Sequence, residues 1–522
     1  MASALTPATA GMVGSRRRPL ALASLCTLLF LTFLDNTVVS VALASIQSDL
    51  HGGVSALQWV VGAYALTFAS FMLAFGMLGD KFGRKKIMLC GAGVYCTGAA
   101  LAAVAPSIGV LIAARAVMGL GAAASEPGTL SMIRQLYQDE RSRNRALGVW
   151  AAVSGFSLAL GPVLGGALVG AWSWRGIMWF DVTFGLAALL VAAMILPESA
   201  DPGAGRVDVQ GTVLGAGALA ALIFGIIDGE TIGYAAPRVL ALFAVSLVAG
   251  AAFVLRERRA PFPLLDLRYL RVPRFVTPNV VAYCTYFATF AIFFFTALYL
   301  GVIAGYSAYR VAALFLPMTV MMIIAAMLAG RWTTSVGARW LLVAGCLLFA
   351  VGLLLTNLAI NPHAAYVPLA AALGVAGVGI GLCVVPITSS VLAVVPAERS
   401  GMAASATNTS REFGAVTGIA ILGAVVNAEL RSGLVSRMTH LHASAALQAY
   451  VLQVIETGSI SLNRASSAAG SGPLGQIIQA GFAAFTNALH AALYLSAALL
   501  GVAALLSAVT MRQHHHSSSR HV

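Results

Sequence analysis

Charge is what this chain of 522 residues has least of: Asp, Glu, Lys and Arg together make up 9% of it, against about 25% in ordinary soluble domains. With 59% hydrophobic residues to hide, such a chain cannot be a water-soluble globule. Acids are scarcer than bases, 18 against 31, and the net charge of +13 invites a nucleic-acid partner. The bases, however, sit in short gaps between long apolar stretches, which is the signature of membrane topology. Cysteine is sparse and unpatterned. Cys26, Cys90, Cys96, Cys284, Cys346 and Cys383 all lie inside apolar stretches without metal-ligand spacing, so they read as small core hydrophobes and no metal site is expected. A Gly-Lys-Ser/Thr phosphate loop is missing, as are a nucleophile constellation at one membrane edge and a soluble catalytic stretch. These absences exclude a primary ATP-driven pump and argue against an enzyme or receptor; no cofactor is expected.

What the chain has instead is fourteen apolar blocks of roughly 20 residues, the length that crosses a hydrocarbon core as a helix. They run from 20–42 to 481–510, with the thirteenth at 402–427. An even number leaves both termini on one side. Placing them inside gives the inner segments about four times the Arg and Lys of the outer loops, so both termini are expected to be cytoplasmic in a multi-pass cell-membrane protein. That count assigns Arg411 to an inner loop. The first block follows Arg16-Arg17-Arg18 but carries Asp35 and lacks a small-residue cleavage site, so it reads as a retained helix. The tail His514–His516 with Ser517–Ser519 gets no function.

The gap Gly76-Met-Leu-Gly-Asp80-Lys81-Phe-Gly83-Arg84-Lys85-Lys86 is repeated in outline at Gly330–Arg339, with two glycines seven residues apart in each copy and Thr334 where Asp80 stands. The charged loop Asp139–Arg145 is echoed by Glu398-Arg399. Two duplicated six-helix halves are the build of alternating-access transporters. The expected division is 1–197 as an N-terminal bundle, 198–274 as a linker with two inserted helices, and 275–522 as a C-terminal bundle. The basic segment 256–274, with Phe262, Leu264, Leu265, Leu267 and Leu270, reads as interfacial, lying on the anionic leaflet. A long outer loop is expected at 428–480, with room for a short helix around Ala443–Ile455.

Ionisable groups inside the apolar blocks each cost about 2.5–3.5 kcal/mol at mid-helix, so they mark sites. Asp35 lies roughly 22 Å from the inner end of helix 1, and Arg115 roughly 12 Å below the outer end of helix 4. In a core about 30 Å thick the two can pair, either as a structural pin or, as preferred here, as a protonatable carboxylate beside a cation. Glu126 follows Arg115 by eleven residues, about three turns, and so shares its face of helix 4; Gly119 and Ala122 between them leave space on that stripe. The other reading has Glu126 turning toward the cytoplasm or capping near Pro127. Asp181 in helix 6 reads equally as an exposed helix end or a cavity-lining acid. Asp228 and Glu230 read as a solvated end of helix 7. His490 reads as deep in helix 14, a packing hydrogen-bonder before a proton carrier. Arg411-Glu412, beside Asn408, reads as a gate or helix-start feature early in helix 13.

Four patterns taken together resemble the fourteen-helix branch of the drug:proton antiporters in the major facilitator superfamily. They are the Gly76–Lys86 gap, Arg115 with Gly119, Gly155 followed by Gly161-Pro162 and Gly165-Gly166, and Gly401 through Asn408 and Arg411 to Gly414; the family's helix-1 motif then falls on Leu34, Asp35, Thr37, Val38 and Val39. The resemblance implies an all-α integral membrane protein with the major facilitator fold: two pseudo-symmetric six-helix bundles plus two extra helices. It assigns gating to Gly76, Asp80, Gly83, Arg84 and Lys85, and proton coupling to Arg115. It also implies that Gly155, Gly161, Pro162, Gly165 and Gly166 seal helix 5 against helix 10. Relatives usually carry an apolar residue where Glu126 stands, Asn where Asp181 stands, and Gln near Gly301.

The expected function is proton-coupled export of hydrophobic or cationic small molecules such as drugs, antibiotics, dyes or secondary metabolites. The expected partners are cargo, protons and lipid, with no nucleic acid, and the expected unit is a monomer. Uptake of an organic solute by proton symport is the alternative, and the Gly161-Pro162 cluster speaks against it.

Overall fold

The computed structural model describes residues 18–137, 139–198, 208–260, 263–360, 365–396, 400–440 and 473–511. Among these there are helices and no strand, as a bilayer demands of any chain that must satisfy its backbone within each span. Fourteen helices are long and apolar enough to cross a membrane. In chain order they are α1 (Arg18–Val38), α2 (Val54–Phe82), α3 (Arg84–Ala103), α4 (Ile108–Leu136), α5 (Glu140–Ala171), α6 (Trp174–Ile195) and α7 (Val209–Ile232). There follow α8 (Pro237–Arg259), α9 (Pro273–Phe290), α10 (Ala308–Ser335), α11 (Ala338–Ala359), α12 (Tyr366–Val394), α13 (Ser400–His440) and α14 (Pro473–Thr510). Hydroxyl and carboxylate caps start several of them: Ser107, Asp139, Ser173, Asp208 and Ser307 each accept a backbone N–H of the first turn.

The packing repeats with an offset of eight helices. In the first half α1 packs on α5 and α6, α2 on α4, and α3 on α4 and α6; in the second α9 packs on α13 and α14, α10 on α12, and α11 on α12 and α14. Proline kinks repeat too, with Pro127 inside α4 and Pro386 inside α12. Even the irregularities correspond. Beyond Val38, α1 passes through a 3-10 turn, Val39–Ala42, into Leu43–Leu50, while α9 continues through π-helical turns Ala291–Thr296 and Tyr299–Ile303. Departures from α geometry inside a spanning helix often mark places that move or bind.

The halves meet along two seams, α2 against α13 and α5 against α10. The inserted pair stands outside: α7 touches α2 and α13, and only 6% of the apolar stretch of α8 is buried, against 89% for α1 and for α9.

Several boundaries differ from the expectation. Helix continues through 428–440 and 473–480, so most of the expected outer loop that is described is helical; residues 441–472, including Ala443–Ile455, lie outside the described residues. So do Glu398-Arg399, Phe262, most of the 198–208 linker and the His/Ser tail. The interfacial segment is only partly so. Leu264 is buried, and Leu265, Tyr269 and Val272 pack with Phe275 on Val391, Val395 and Ala403 at the C-terminal end of α12 and the N-terminal end of α13; Leu270 remains exposed. Packing against protein wins there because those helix ends offer an apolar face that lipid headgroups do not.

Candidate functional site

The deepest polar groups lie where α1, α4 and α13 converge. Asp35 and Arg115 are both 0% exposed, and Arg115 Nη1 stands 2.6 Å from each carboxylate oxygen of Asp35. Three further contacts hold the guanidinium. Its Nε donates to the Val60 carbonyl at 3.0 Å, its plane lies 4.6 Å from the Tyr64 ring centroid, and Nη1 is 3.8 Å from Met118 Sδ. Tyr64 is itself pinned by donating to the Thr32 carbonyl at 3.0 Å. The depth reckoning therefore brings together the two residues it should.

Gly119 is not the empty space expected on that stripe. A Cβ there would run into the Tyr64 backbone and Thr67 Oγ1, so the residue lets α2 press against α4. Thr67 uses this proximity to donate to the Ala116 carbonyl at 3.0 Å.

Glu126 points across the bundle interface, neither toward the cytoplasm nor into a cap. Its Oε1 accepts from Asn408 Nδ2 of α13 at 2.6 Å, while Asn408 Oδ1 accepts from Arg411 Nη1 at 3.1 Å. Arg411 Nη2 donates to Thr388 Oγ1 of α12 at 2.8 Å. Arg411 is 2% exposed, inside the bundle well beyond the Ser400 start of α13, so it is neither an inner-loop charge nor a helix-start feature. Its neighbour Glu412, read with it from the sequence as one gate or helix-start feature, is also 2% exposed and accepts from Asn36 Nδ2 of α1 at 3.1 Å. Asn408 and Glu412, four residues apart on one face of α13, thus grip two different helices of the other half. Asn36 could have been suspected from adjacency, since it follows a residue already singled out.

Asp181 is fully buried, which decides against an exposed helix end. It stands within electrostatic reach of Asp35, Arg115 and Tyr95, and neither of its carboxylate oxygens has a hydrogen-bond partner in good geometry. Glu126 Oε2, Glu412 Oε2 and Arg115 Nη2 are likewise buried and unbonded. The centre is therefore under-satisfied, which fits a place that exchanges partners better than a static core. His490 is not central. It bonds Asn357, two residues before the C-terminal end of α11, and α14 starts at Pro473, earlier than the apolar block suggests. Glu230 is not a solvated helix end either: it accepts from Asn427 of α13, while Asp228 pairs with Arg238 at 2.9 Å.

Between α2 and α3, the polar gap collapses into a joint of one residue. Gly76–Phe82 completes α2, Gly83 alone turns the chain, and Arg84 starts α3. Arg84 Nε meets Asp80 at 2.7 Å, Lys85 Nζ donates to the Ala193 carbonyl at 2.7 Å, and the Lys85 amide donates to Glu198 Oε1 at 3.2 Å. The loop is thereby tied to the end of α6. Gly76 lies near Pro127 of α4 and Ser405 of α13, at one end of the seam between halves.

The glycine-proline cluster of α5 divides between two neighbours. A Cβ on Gly166 would strike Ala308 and Ala312 of α10, and one on Gly155 would reach Ala326 of α10 and Val384 of α12. Gly161 and Gly165 instead face Thr37 and Val38 of α1, and Thr37 Oγ1 donates to the Leu158 carbonyl at 2.8 Å. The cluster thus grips α1 one turn beyond Asp35 as well as closing the α5–α10 seam. Gly301 in turn lets the continuation of α9 approach Ala44 in the Leu43–Leu50 continuation of α1. An open groove of about 580 Å³ along α8, lined by Leu247, Gly250, Val254 and Arg258 among others, lies on the outermost helix, away from this chemistry.

Residues 25–419 match the family model described as Major Facilitator Superfamily. The chain is 33% identical over 406 residues to the multidrug resistance protein Stp of Mycobacterium tuberculosis, covering 78% of this chain and 75% of that one. It is 34% identical over 395 residues to the methylenomycin A resistance protein of Bacillus subtilis, covering 76% and 84%. Its fold is similar to a crystal structure of a bacterial homologue of the human lysosomal transporter Spinster, inward-facing and unoccupied. The TM-score is 0.64 at 18% identity, over 94% of this chain and 98% of that one.

Proposed function

This chain belongs to the Major Facilitator Superfamily, and from that premise we propose that it is a proton-coupled antiporter exporting hydrophobic or cationic small molecules across the cytoplasmic membrane. Drugs, antibiotics, dyes and secondary metabolites are the cargo class, in keeping with relatives named for multidrug and methylenomycin A resistance. It works as a monomer with both termini inside, and not as an enzyme.

The observation that carries the reading is the dry ion pair of Asp35 and Arg115. Removing one partner of such a pair costs about 3–5 kcal/mol, because the other charge stays buried and uncompensated. A proton arriving on Asp35 has the same effect on Arg115. Protonation therefore cannot leave the arrangement of α1 against α4 unchanged, and a change of proton occupancy is converted into movement. The segment that would move is marked by its 3-10 turn and by the grip of α5 on Thr37 and Val38. Glu126 and Asp181 add negative charge that favours a cationic or amphipathic cargo. Asp80, Arg84 and Lys85, with Gly76 and Gly83, gate the inner end. Each proton supplies about 2.3 kcal/mol per 100 mV and about 1.4 per pH unit, enough for roughly tenfold concentration of cargo or more.

Purified protein in liposomes with an imposed pH gradient and a panel of dyes and antibiotics tests this directly. Adding cargo releases protons in the parent, and Asp35→Asn abolishes that release while the protein remains folded in the bilayer. Unchanged exchange in Asp35→Asn removes Asp35 from the mechanism. Uptake of protons and cargo together would make the protein a symporter.

A further inference from the structure

The enclosed centre is out of electrical balance. Among the described residues, the fully buried charges within the spanning core are four carboxylates, Asp35, Glu126, Asp181 and Glu412, against two guanidiniums, Arg115 and Arg411. Two negative charges are left over, and uncompensated charge in such surroundings costs several kcal/mol each. Only bound protons or a cation can make up the difference. Arg115 is committed to Asp35, and Arg411 donates to Asn408 and Thr388 rather than to an acid.

We propose that Glu412 of α13 is a second proton-exchanging group, so that each turnover moves two protons, one through Asp35 in the first half and one through Glu412 in the second. This rests on the antiport reading above. Three observations select Glu412. It lies in the half opposite Asp35. It is joined to the residue next to Asp35 by the Asn36 bond, so movement of that stretch of α1 reaches it directly. Its Oε2 is buried and unbonded, leaving a position for a proton or a cation. The groups that face it are Asp35 on α1, Tyr64 on α2, Glu126 on α4, Tyr286 on α9 and Arg411 on its own helix. In the step, cargo entering from inside takes the place of the proton, the Glu412 O–H bond breaks, and the proton passes to inner water. When cargo leaves outside, the carboxylate takes a proton back from outer water and the Asn36 bond re-forms.

The test is a count of protons released per cargo bound, by calorimetry of purified protein in buffers of different ionisation enthalpy. The probe is tetraphenylphosphonium, a cation whose charge can stand in for that of a proton. The parent should release about two protons per probe and Glu412→Gln about one; Gln keeps an oxygen to accept from Asn36, and Glu412→Asp should behave as the parent. In liposomes at zero potential and one pH unit, the parent should then hold a gradient near 100-fold and Glu412→Gln near tenfold, at about 1.4 kcal/mol per proton. An equal count in parent and Glu412→Gln, or a parent count of one, overturns the proposal while leaving antiport standing. Binding with no proton release from the parent sinks both.

Discussion

Gly83 and Gly337 occupy the same joint in the two halves, between α2 and α3 and between α10 and α11, with φ of +113° and +90°. The seven-residue spacing that relates the gap at Gly76 to its copy at Gly330 thus has a backbone cause. A helix ends, one residue takes a conformation that a side chain resists, and the next helix starts at once. Substituting Ala at either position should cost about 1–2 kcal/mol. Gly83→Ala should carry a further cost, since its Cβ would also press on the Glu198 carboxylate, 2.7 Å from Oε1. Thermal unfolding of the solubilised protein measures both, and Glu198→Ala should recover part of the loss in Gly83→Ala alone. Equal loss without recovery would remove Glu198 from the gating loop.

A second prediction separates folding from coupling at the central pair. Arg115→Gln should lose about 3–5 kcal/mol of stability, because it leaves a buried carboxylate alone. Asp35→Asn with Arg115→Gln should regain most of that loss, because the two neutral amides can hydrogen-bond to each other. Proton release on cargo binding should remain absent from the double variant despite its recovered stability. If exchange returned with stability, the pair would be a pin between helices and nothing more.

How far these features could be read from residues alone follows from the kind of information each requires. Asp35 and Arg115 could be matched because depth along a helix is fixed by residue count, and only two deep opposite charges near one level needed pairing. The partners of Glu412 and Glu230 could not. Whether an acid near a helix end meets water or another helix depends on where α13 stands and how far it continues, and α13 runs well past its apolar block. His490 was misplaced for the same reason at the start of α14. The stripe containing Gly119 looked like open space because a missing side chain is equally the mark of a cavity and of a close backbone approach; here the backbone of α2 fills it.

The α5 cluster offers a third prediction, a contrast within one motif. Gly155→Ala should be near the parent, since its Cβ meets Val384 at 3.7 Å and Ala326 at 4.0 Å, ordinary contact. Gly161→Ala should be destabilised by about 1–3 kcal/mol and slowed in transport, since its Cβ would lie 2.9 Å from the Val38 backbone nitrogen. Thermal unfolding and initial efflux rates measure the two effects. Equal tolerance at both sites would show that the grip on α1 has slack.

Glu126 separates cargo recognition from scaffolding. Its bond with Asn408 joins the halves at a level between the gating loop and the Asp35 pair. Gln in its place keeps an oxygen for Asn408 Nδ2 to bond, so the cross-bundle contact survives while the charge is lost. If the charge recognises cargo, Glu126→Gln should lose roughly tenfold in efflux of tetraphenylphosphonium, about 1.4 kcal/mol, with little change for a neutral compound. If Glu126 only holds α4 to α13, both compounds should fall together, and Asn408→Ala should fall with them. Side-by-side efflux of one cation and one neutral compound therefore decides which role the side chain has.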